Sequence, residues 1–434
     1  MVNKLIIQNP KRDNSARSGR ASWYPYYAGF SPKFAHSILE SSGLPRGACI
    51  VDSWNGSGTT TTSSTGLGYR TYGYDLNPAM VVIAKARLLN RREKSSLWPI
   101  AEDILRKSAC IESTFTISRD PLNTWFIPSS TAAIRNLEKN IQILLIDSSK
   151  FNLLANRDNI NSLSDLAAFF YTALFRTVRT IIKKFFTSNP TWVKKPKNKA
   201  ARLRTGRETI FTIFSAEVRL MIDAIEDEPL VQQNLDGDAH IGIASSDFLP
   251  HQDNSVDLIL SSPPYCTRID YAVATMTELA VLGYTLDGSF RELRKKLIGT
   301  STVPKTIPTP PPDWGATCNM FLEQLASHRS KASKSYYYKN HVQYFDAIYR
   351  SLKELHRVLI PGGLCALVVQ DSYYKDIHNN LPRMFIEMAS ANGLSLGRKT
   401  DFGMTRTMAG INPTIKKYRK VFNATESVLC FINN

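Results

Sequence analysis

The sequence predicts an α/β chain built on a doubly wound, mostly parallel sheet, carrying a helical insertion and a second, loop-rich insertion. Three observations predict it. Short apolar runs at 48–52, 69–74, 239–244, 256–260 and 364–370 have the length and composition of buried parallel strands. The first two runs are each followed by a helical pattern, the order of a right-handed β-α-β unit. A glycine turn, Asn55-Gly56-Ser57-Gly58, joins the first strand to its helix.

Taken in order, the chain opens on a polar stretch and then the aromatic segment Trp23-Tyr24-Pro25-Tyr26-Tyr27-Ala28-Gly29-Phe30. A helix is expected over 33–42, stopped by Pro45 and Gly47. The second strand ends in Asp75-Leu76-Asn77-Pro78, which starts a helix over 79–89. Residues 91–235 read as mainly helical and basic, with an apolar helix at 166–186 and an amphipathic one at 210–225. Core strands resume in 236–270, and 271–340 reads as irregular, with prolines clustered at 306–312. The last part, 341–434, returns to the core with helices at 341–359 and 381–392 and a closing strand at 427–432. Residues 1–90, 236–270 and 341–434 thus form one core, which 91–235 and 271–340 interrupt.

Lysine and arginine outnumber aspartate and glutamate 54 to 37, a net charge of +17 that attracts polyanions. The excess is concentrated: between Arg176 and Arg207 lie eleven basic residues and no acidic one. A solvated helix face is the plain alternative, and the lack of interleaved acids weighs against it. Six scattered cysteines and seven histidines show no metal-ligand spacing, so reduced thiols and no metal are expected. The first twenty residues lack an apolar signal core, and no run is apolar enough to span a bilayer, so a soluble, cytoplasmic protein without membrane contact is expected.

Asp52, Asn55, Gly56, Gly58, Thr59 and Thr60 mark a turn where backbone approaches a ligand at a helix N-terminus. A dinucleotide could occupy such a turn equally well, although the third glycine of that fingerprint is missing. Asp75, nineteen residues after Gly56, suits ribose hydroxyls. Asp247 suits an adenine amino group, with Phe248 against the ring, although strand-end acids are common. In Ser262-Pro263-Pro264-Tyr265 the prolines stiffen a strand end and remove N–H groups. Ser262 Oγ and the Pro263 carbonyl can accept the hydrogens of an exocyclic amine, pulling its nitrogen toward a nucleophilic state, while Tyr265 stacks on the base. Alone, such a turn is equally a loop that ends a strand, and Arg268, Asp270 and Tyr271 just past it are candidates to line the base or cofactor pocket, with an Arg-Asp pair that braces the loop as the alternative.

Together these elements resemble the S-adenosylmethionine-dependent amino-methyltransferases of DNA, whose catalytic motif is [DNS]-P-P-[YF]. The resemblance covers about half the chain and also takes in Gly73-Tyr74-Asp75-Leu76-Asn77-Pro78 and Arg357-Val358-Leu359-Ile360-Pro361-Gly362-Gly363. It implies a Rossmann-like class I methyltransferase core and S-adenosylmethionine as cofactor, held by the residues above with Tyr27 and Phe30 from the aromatic segment. Serine at the first catalytic position is associated in that family with cytosine N4, and aspartate more with adenine N6. Ser53 and Trp54 depart from the usual proline and phenylalanine. The implied reaction is direct transfer to a base flipped from double-stranded DNA, with no covalent enzyme intermediate. Lys183, Lys184, Trp192, Lys194, Lys195, Lys197, Arg202 and Arg204 are candidates to grip DNA, with Arg294 and Lys295 on a second surface. Which insertion reads DNA sequence stays open, and a restriction endonuclease or other defence protein is the partner class implied. An adenine-N6 DNA enzyme, an RNA base amino-methyltransferase and an inactive nucleic-acid-binding subunit remain as alternatives.

Overall fold

The computed structural model describes the 434 residues apart from residue 1 and residues 13–17, 27–28, 111–118, 147–152, 188–191, 227–236, 267–268 and 405–423. Its strands are β1 (Cys49–Asp52), β2 (Arg70–Tyr74), β3 (Ala239–Gly242), β4 (Val256–Ser261), β5 (Leu359–Gln370), β6 (Ser372–Tyr374), β7 (Ile377–Asn379), β8 (Leu394–Met404) and β9 (Ala424–Asn433). Helices up to the third strand are α1 (Pro32–Ser41), α2 (Thr59–Gly66), α3 (Pro78–Arg87), α4 (Lys94–Ala109), α5 (Pro128–Leu145), α6 (Arg157–Asn161), α7 (Asp165–Ile181) and α8 (Arg207–Ala224). Beyond β4 come α9 (Tyr271–Ala274), α10 (Met276–Val281), α11 (Ser289–Lys296), α12 (Ala316–Ser327), α13 (Tyr338–Val358) and α14 (Leu381–Ala391).

The main sheet has seven strands in the order β3-β2-β1-β4-β5-β9-β8. Strands β1 to β5 pair in parallel, and β9 runs antiparallel to both β5 and β8. The order reverses between β1 and β4, which makes the carboxyl ends of those strands the switch point of a Rossmann-like, doubly wound sheet. Alternation along the strands sorts the core into two faces. Ile50, Leu258, Leu260 and Leu364 pack with Phe34 and Ile38 of α1. Val51, Ile259, Leu367 and Val369 pack with Phe321, Phe345 and Met384 of α12, α13 and α14.

Local chemistry fixes where the helices start. Ser31 accepts from the Phe34 amide at 3.2 Å with Pro32 in the first turn, and Asn77 accepts from Ala79 at 3.1 Å with Pro78 following. Ser164 caps α7 in the same way. Helix α7 is buried along Phe169, Phe170 and Phe175, in one apolar cluster with Val82 of α3, Ile134 of α5 and Phe214 of α8. Residues of the helical region therefore share a core with the first β-α-β unit.

The structure corrects several sequence expectations. Residues 271–340 hold α9 to α12 and part of α13 rather than long loops alone. The α10 segment is anchored by the buried Arg135, which donates to the Ala280 carbonyl at 2.8 Å and pairs with Asp120 at 2.7 Å and with Glu138. Strand β8 and the β6–β7 hairpin were not foreseen. Along β8, Arg398, Lys399 and Asp401 break the apolar signal, as befits a sheet edge. Strand β5 starts at Leu359, so Pro361-Gly362-Gly363 lies within it, absorbed by a register shift opposite Val256 and Leu258.

Candidate active site

A cleft opens at the carboxyl ends of β1, β2 and β4. Phe30, Asp52, Asn55, Thr59 and Asp75 line it together with Ser262, Pro263, Pro264 and Tyr265. The first strand crossing and the diproline turn, about two hundred residues apart in sequence, thus face one space because β1 and β4 are sheet neighbours.

At the glycine turn, Gly56 has φ +49° and its N–H donates to Asp75 Oδ2 at 3.0 Å. A Cβ there would lie 2.8 Å from Tyr26 Cε1, so only glycine lets that ring approach. Asp75 Oδ1 accepts from the Asn77 amide at 2.8 Å. Gly58 has φ +85°, and a Cβ there would sit 3.1 Å from Ala84 Cβ, so it serves the packing of α2 on α3. Thr60 is buried and donates to the Leu260 carbonyl at 3.1 Å, bracing β4. Asp52 is buried, receiving the Trp54 amide at 3.1 Å and the Ser261 hydroxyl. Burial pushes the Asp52 carboxyl up to about 6 against its hydrogen bonds, and burial does the same to Asp75, to about 6. Phe30 is buried against Phe34, and Tyr27 falls outside the described residues.

The diproline turn is held at three points. Ser262 Oγ donates to the Val368 carbonyl at 3.2 Å, the Tyr344 hydroxyl donates to the Pro264 carbonyl at 2.9 Å, and the Tyr265 amide donates to the Tyr271 hydroxyl at 3.2 Å. Because Ser262 spends its proton on β5, its oxygen lone pairs remain as acceptors. No hydrogen bond among the described residues engages the Pro263 carbonyl. Next along, Cys266 is buried in the core, so its thiol is not presented as a nucleophile to the cleft. Asp270 caps α9 and binds Arg294 and Ser301, each at 2.8 Å. Arg268 lies outside the described residues.

Asp247 and Phe248 line a second cavity that shares Leu76, Leu297 and Ile298 with the first. There Asp247 is already engaged by the Ser245 hydroxyl and by Arg350, while Phe248 is 79% exposed. Lys295 lines this cavity too and pairs with Glu292 at 2.7 Å.

Of the basic run, Arg176 and Arg179 turn inward, pairing with Glu217 at 2.7 Å and Glu278 at 2.8 Å. Lys183, Lys184, Lys194, Lys195, Lys197 and Arg204 are exposed, Arg202 partly so, and Trp192 is 42% exposed among them. Arg294 is committed to Asp270, as above.

Sequence reasoning gave Ser53, Trp54 and Tyr344 no site role and singled out Tyr27 and Phe30 of the aromatic segment rather than Tyr26, whereas Tyr271, a candidate from the sequence, does line the cleft. Tyr26 stands one position from Tyr27, in the segment already marked. Nothing local marks Tyr344, which comes from a helix eighty residues beyond Pro264. Ser53 Oγ, Trp54 Nε1 and Asn55 Nδ2 are buried and have no hydrogen-bond partner among the described residues. Unsatisfied buried donors beside a cleft are unfavourable unless a ligand meets them. No group of three His, Cys, Asp or Glu side chains among the described residues could hold a metal ion, and none of the described helices is long and apolar enough to cross a membrane.

No family model matches the chain. It is 24% identical over 308 residues to the Type II methyltransferase M.BsoBI of Geobacillus stearothermophilus, a match covering 67% of this chain and 57% of that protein. The chain therefore spans less than two thirds of the curated relative it matches. A solved structure assigned as a sarcosine dimethylglycine methyltransferase from Galdieria sulphuraria aligns over 93% of this chain and 85% of its own, at 10% identity and a TM-score of 0.29. A score that low carries no argument.

Proposed function

We propose that this chain is an S-adenosylmethionine-dependent methyltransferase acting on the N4 amino group of a cytosine in DNA. The observation that carries the reading is that the glycine-turn residues Asp52, Asn55 and Asp75 line one cleft with Ser262, Pro263, Pro264 and Tyr265. Similarity to a type II methyltransferase supports the same reading.

The lining suits the cofactor on two counts. Asp52 and Asp75 offer acceptors for an ammonium group and ribose hydroxyls, and the orphaned donors of Ser53, Trp54 and Asn55 match a carboxylate. Bound there, the cofactor would supply an electrophilic methyl group on a sulfonium. The chain's own residues do the rest. Ser262 Oγ and the Pro263 carbonyl accept the two amino hydrogens and stabilise positive charge as it develops on nitrogen. Tyr265 stacks on the base, and the hydrogen bonds from Tyr344 and to Tyr271 keep the turn from relaxing. Methylation at a ring carbon needs covalent activation by a thiolate, which the burial of Cys266 disfavours.

A base inside a duplex must be flipped to reach such a cleft, and phosphate contacts offset the unstacking, which costs a few kcal/mol. The exposed lysines around Trp192 are the surface proposed for that grip, and the preference for cytosine rests on Ser262. The test is transfer of labelled methyl from S-adenosylmethionine to duplex DNA, to RNA and to free protein. Label in duplex DNA that is lost in Ser262→Ala, while cofactor binding by calorimetry persists, is expected. Label confined to RNA, or label in DNA that survives Ser262→Ala unchanged, contradicts the reading.

A further inference from the structure

The second insertion meets the cleft through one short segment, residues 297–301, which follows α11. Leu297 and Ile298 line both cavities, the cleft of the diproline turn on one side and the cavity of Asp247 on the other. Gly299 comes next with φ +80°, and a Cβ there would lie 2.9 Å from the Tyr265 carbonyl oxygen, so backbone rests on backbone at the end of the diproline turn. Four bonds fasten the segment. Asn340 Nδ2 donates to the Thr300 carbonyl, the Tyr336 hydroxyl donates to the Ser301 carbonyl, and Ser301 Oγ and Arg294 both donate to Asp270, each at 2.8 Å. With Arg294 turned inward, α11 leaves Arg291, Lys295 and Lys296 exposed against one acid, Glu292, which pairs with Lys295 at 2.7 Å. An exposed pair of that kind holds Lys295 only weakly. Tyr336, whose hydroxyl lies close enough to Arg294 to feel its charge, keeps its ring 37% exposed in the π-helical turn Ser333–Tyr337.

We propose that Arg291, Lys295, Lys296 and the Tyr336 ring form a contact for the DNA strand beside the flipped nucleotide, held in register with the diproline turn by residues 297–301. The inference rests on the DNA methyltransferase reading and deepens it, because it gives the second insertion the contact nearest the target. Packing alone accounts for Leu297 and Gly299. It gives no reason for three exposed cations on one short helix, or for an aromatic ring tied down by its hydroxyl while its face stays open to solvent. Cations offer partners to phosphates, and an open, fixed ring offers a surface on which a base stacks. Because this contact and the turn share one tightly bonded connection, a strand gripped there presents its target base at a constant place relative to Ser262, and transfer is sensitive to misplacement of about 1 Å. A solvated helix face, the plain alternative, predicts no effect of these residues on DNA beyond that of net charge.

The test follows binding of a fluorescein-labelled DNA duplex of mixed sequence across a salt series, with S-adenosylmethionine affinity measured by calorimetry alongside. Arg291→Glu, Lys295→Glu and Lys296→Glu combined are expected to reduce the slope of log affinity against log salt by up to about 3, with cofactor affinity unchanged. The same charge reversal at Lys4, Lys33 and Lys353, exposed on other elements, is expected to reduce it by less than about 1. Tyr336→Ala is expected to weaken the duplex about fivefold or more, and Tyr336→Phe, which keeps the ring, less than about twofold. Equal effects of the two triple variants, or equal effects of Tyr336→Ala and Tyr336→Phe, overturn the inference while the methyltransferase reading stands. If the wild-type protein binds S-adenosylmethionine but no duplex, the DNA reading itself falls and the inference falls with it.

Discussion

Asp52 and Asp75 are carboxylates held in a cleft that raises both to about 6, against an ordinary value near 4. Between those values the folded protein binds protons that the unfolded chain has released, so these two groups make stability fall as pH rises through that window. Ligand binding runs the other way. Acceptors for ammonium and ribose hydroxyls must be ionised, so cofactor affinity should weaken as the pH drops below about 6, and calorimetric titrations of wild type and Asp75→Asn between neutral pH and about 5 check it. A flat affinity across that range would remove Asp75 from the cofactor site. Tyr344→Phe leaves the Pro264 carbonyl without its donor, and the loosened turn should lower kcat about tenfold with little change in cofactor affinity. Equal losses in both would mark a general packing defect instead. At this scale the sequence was legible where chemistry resides in a residue type and its spacing, as with Ser262-Pro263-Pro264-Tyr265. It was silent where a role depends on where a distant side chain points, as with Tyr344. Tyr26 lines the cleft, while its neighbour Tyr27, which sequence reading singled out, lies outside the described residues.

Among the elements, α7 ties the helical region to the sheet. Its buried face meets α3, and Phe170 lies fully buried in the cluster that both share. Phe170→Ala should cost about 3–5 kcal/mol, and because the core is continuous, unfolding should remain a single transition. Two resolved transitions in a denaturant melt followed by fluorescence and circular dichroism would show instead that the helical region folds alone. Sequence reading located β1 and β4 from short apolar runs, β2 and β3 from the acidic turns that follow them, and α7 from its long apolar pattern. It overlooked β8, whose charged residues suit an edge, and treated 271–340 as loops because α9 to α11 are short. Short helices carry little periodic signal, and their stability comes from anchors such as Arg135 that connect distant segments.

For the molecule as a whole, the excess of +17 is a partner statement more than a fold statement. Arg176 and Arg179 are spent on internal ion pairs, which leaves the exposed lysines around Trp192 as the surface proposed for phosphates. Replacing Lys194, Lys195 and Lys197 with glutamate should weaken DNA binding across sequences and reduce the slope of log affinity against log salt by up to about 3. An unchanged slope would move the DNA interface elsewhere. The net charge could be read from composition, but only the fold separates basic residues that brace from those that face solvent. What unites the scales is the cleft in which a stiff proline corner and a glycine turn face each other. Mass spectrometry of nucleosides from duplex DNA incubated with the protein and S-adenosylmethionine tests it most directly: N4-methylcytosine, absent with Ser262→Ala, is the predicted product, and methyl on cytosine carbon 5, or no methylated nucleoside at all, would contradict it.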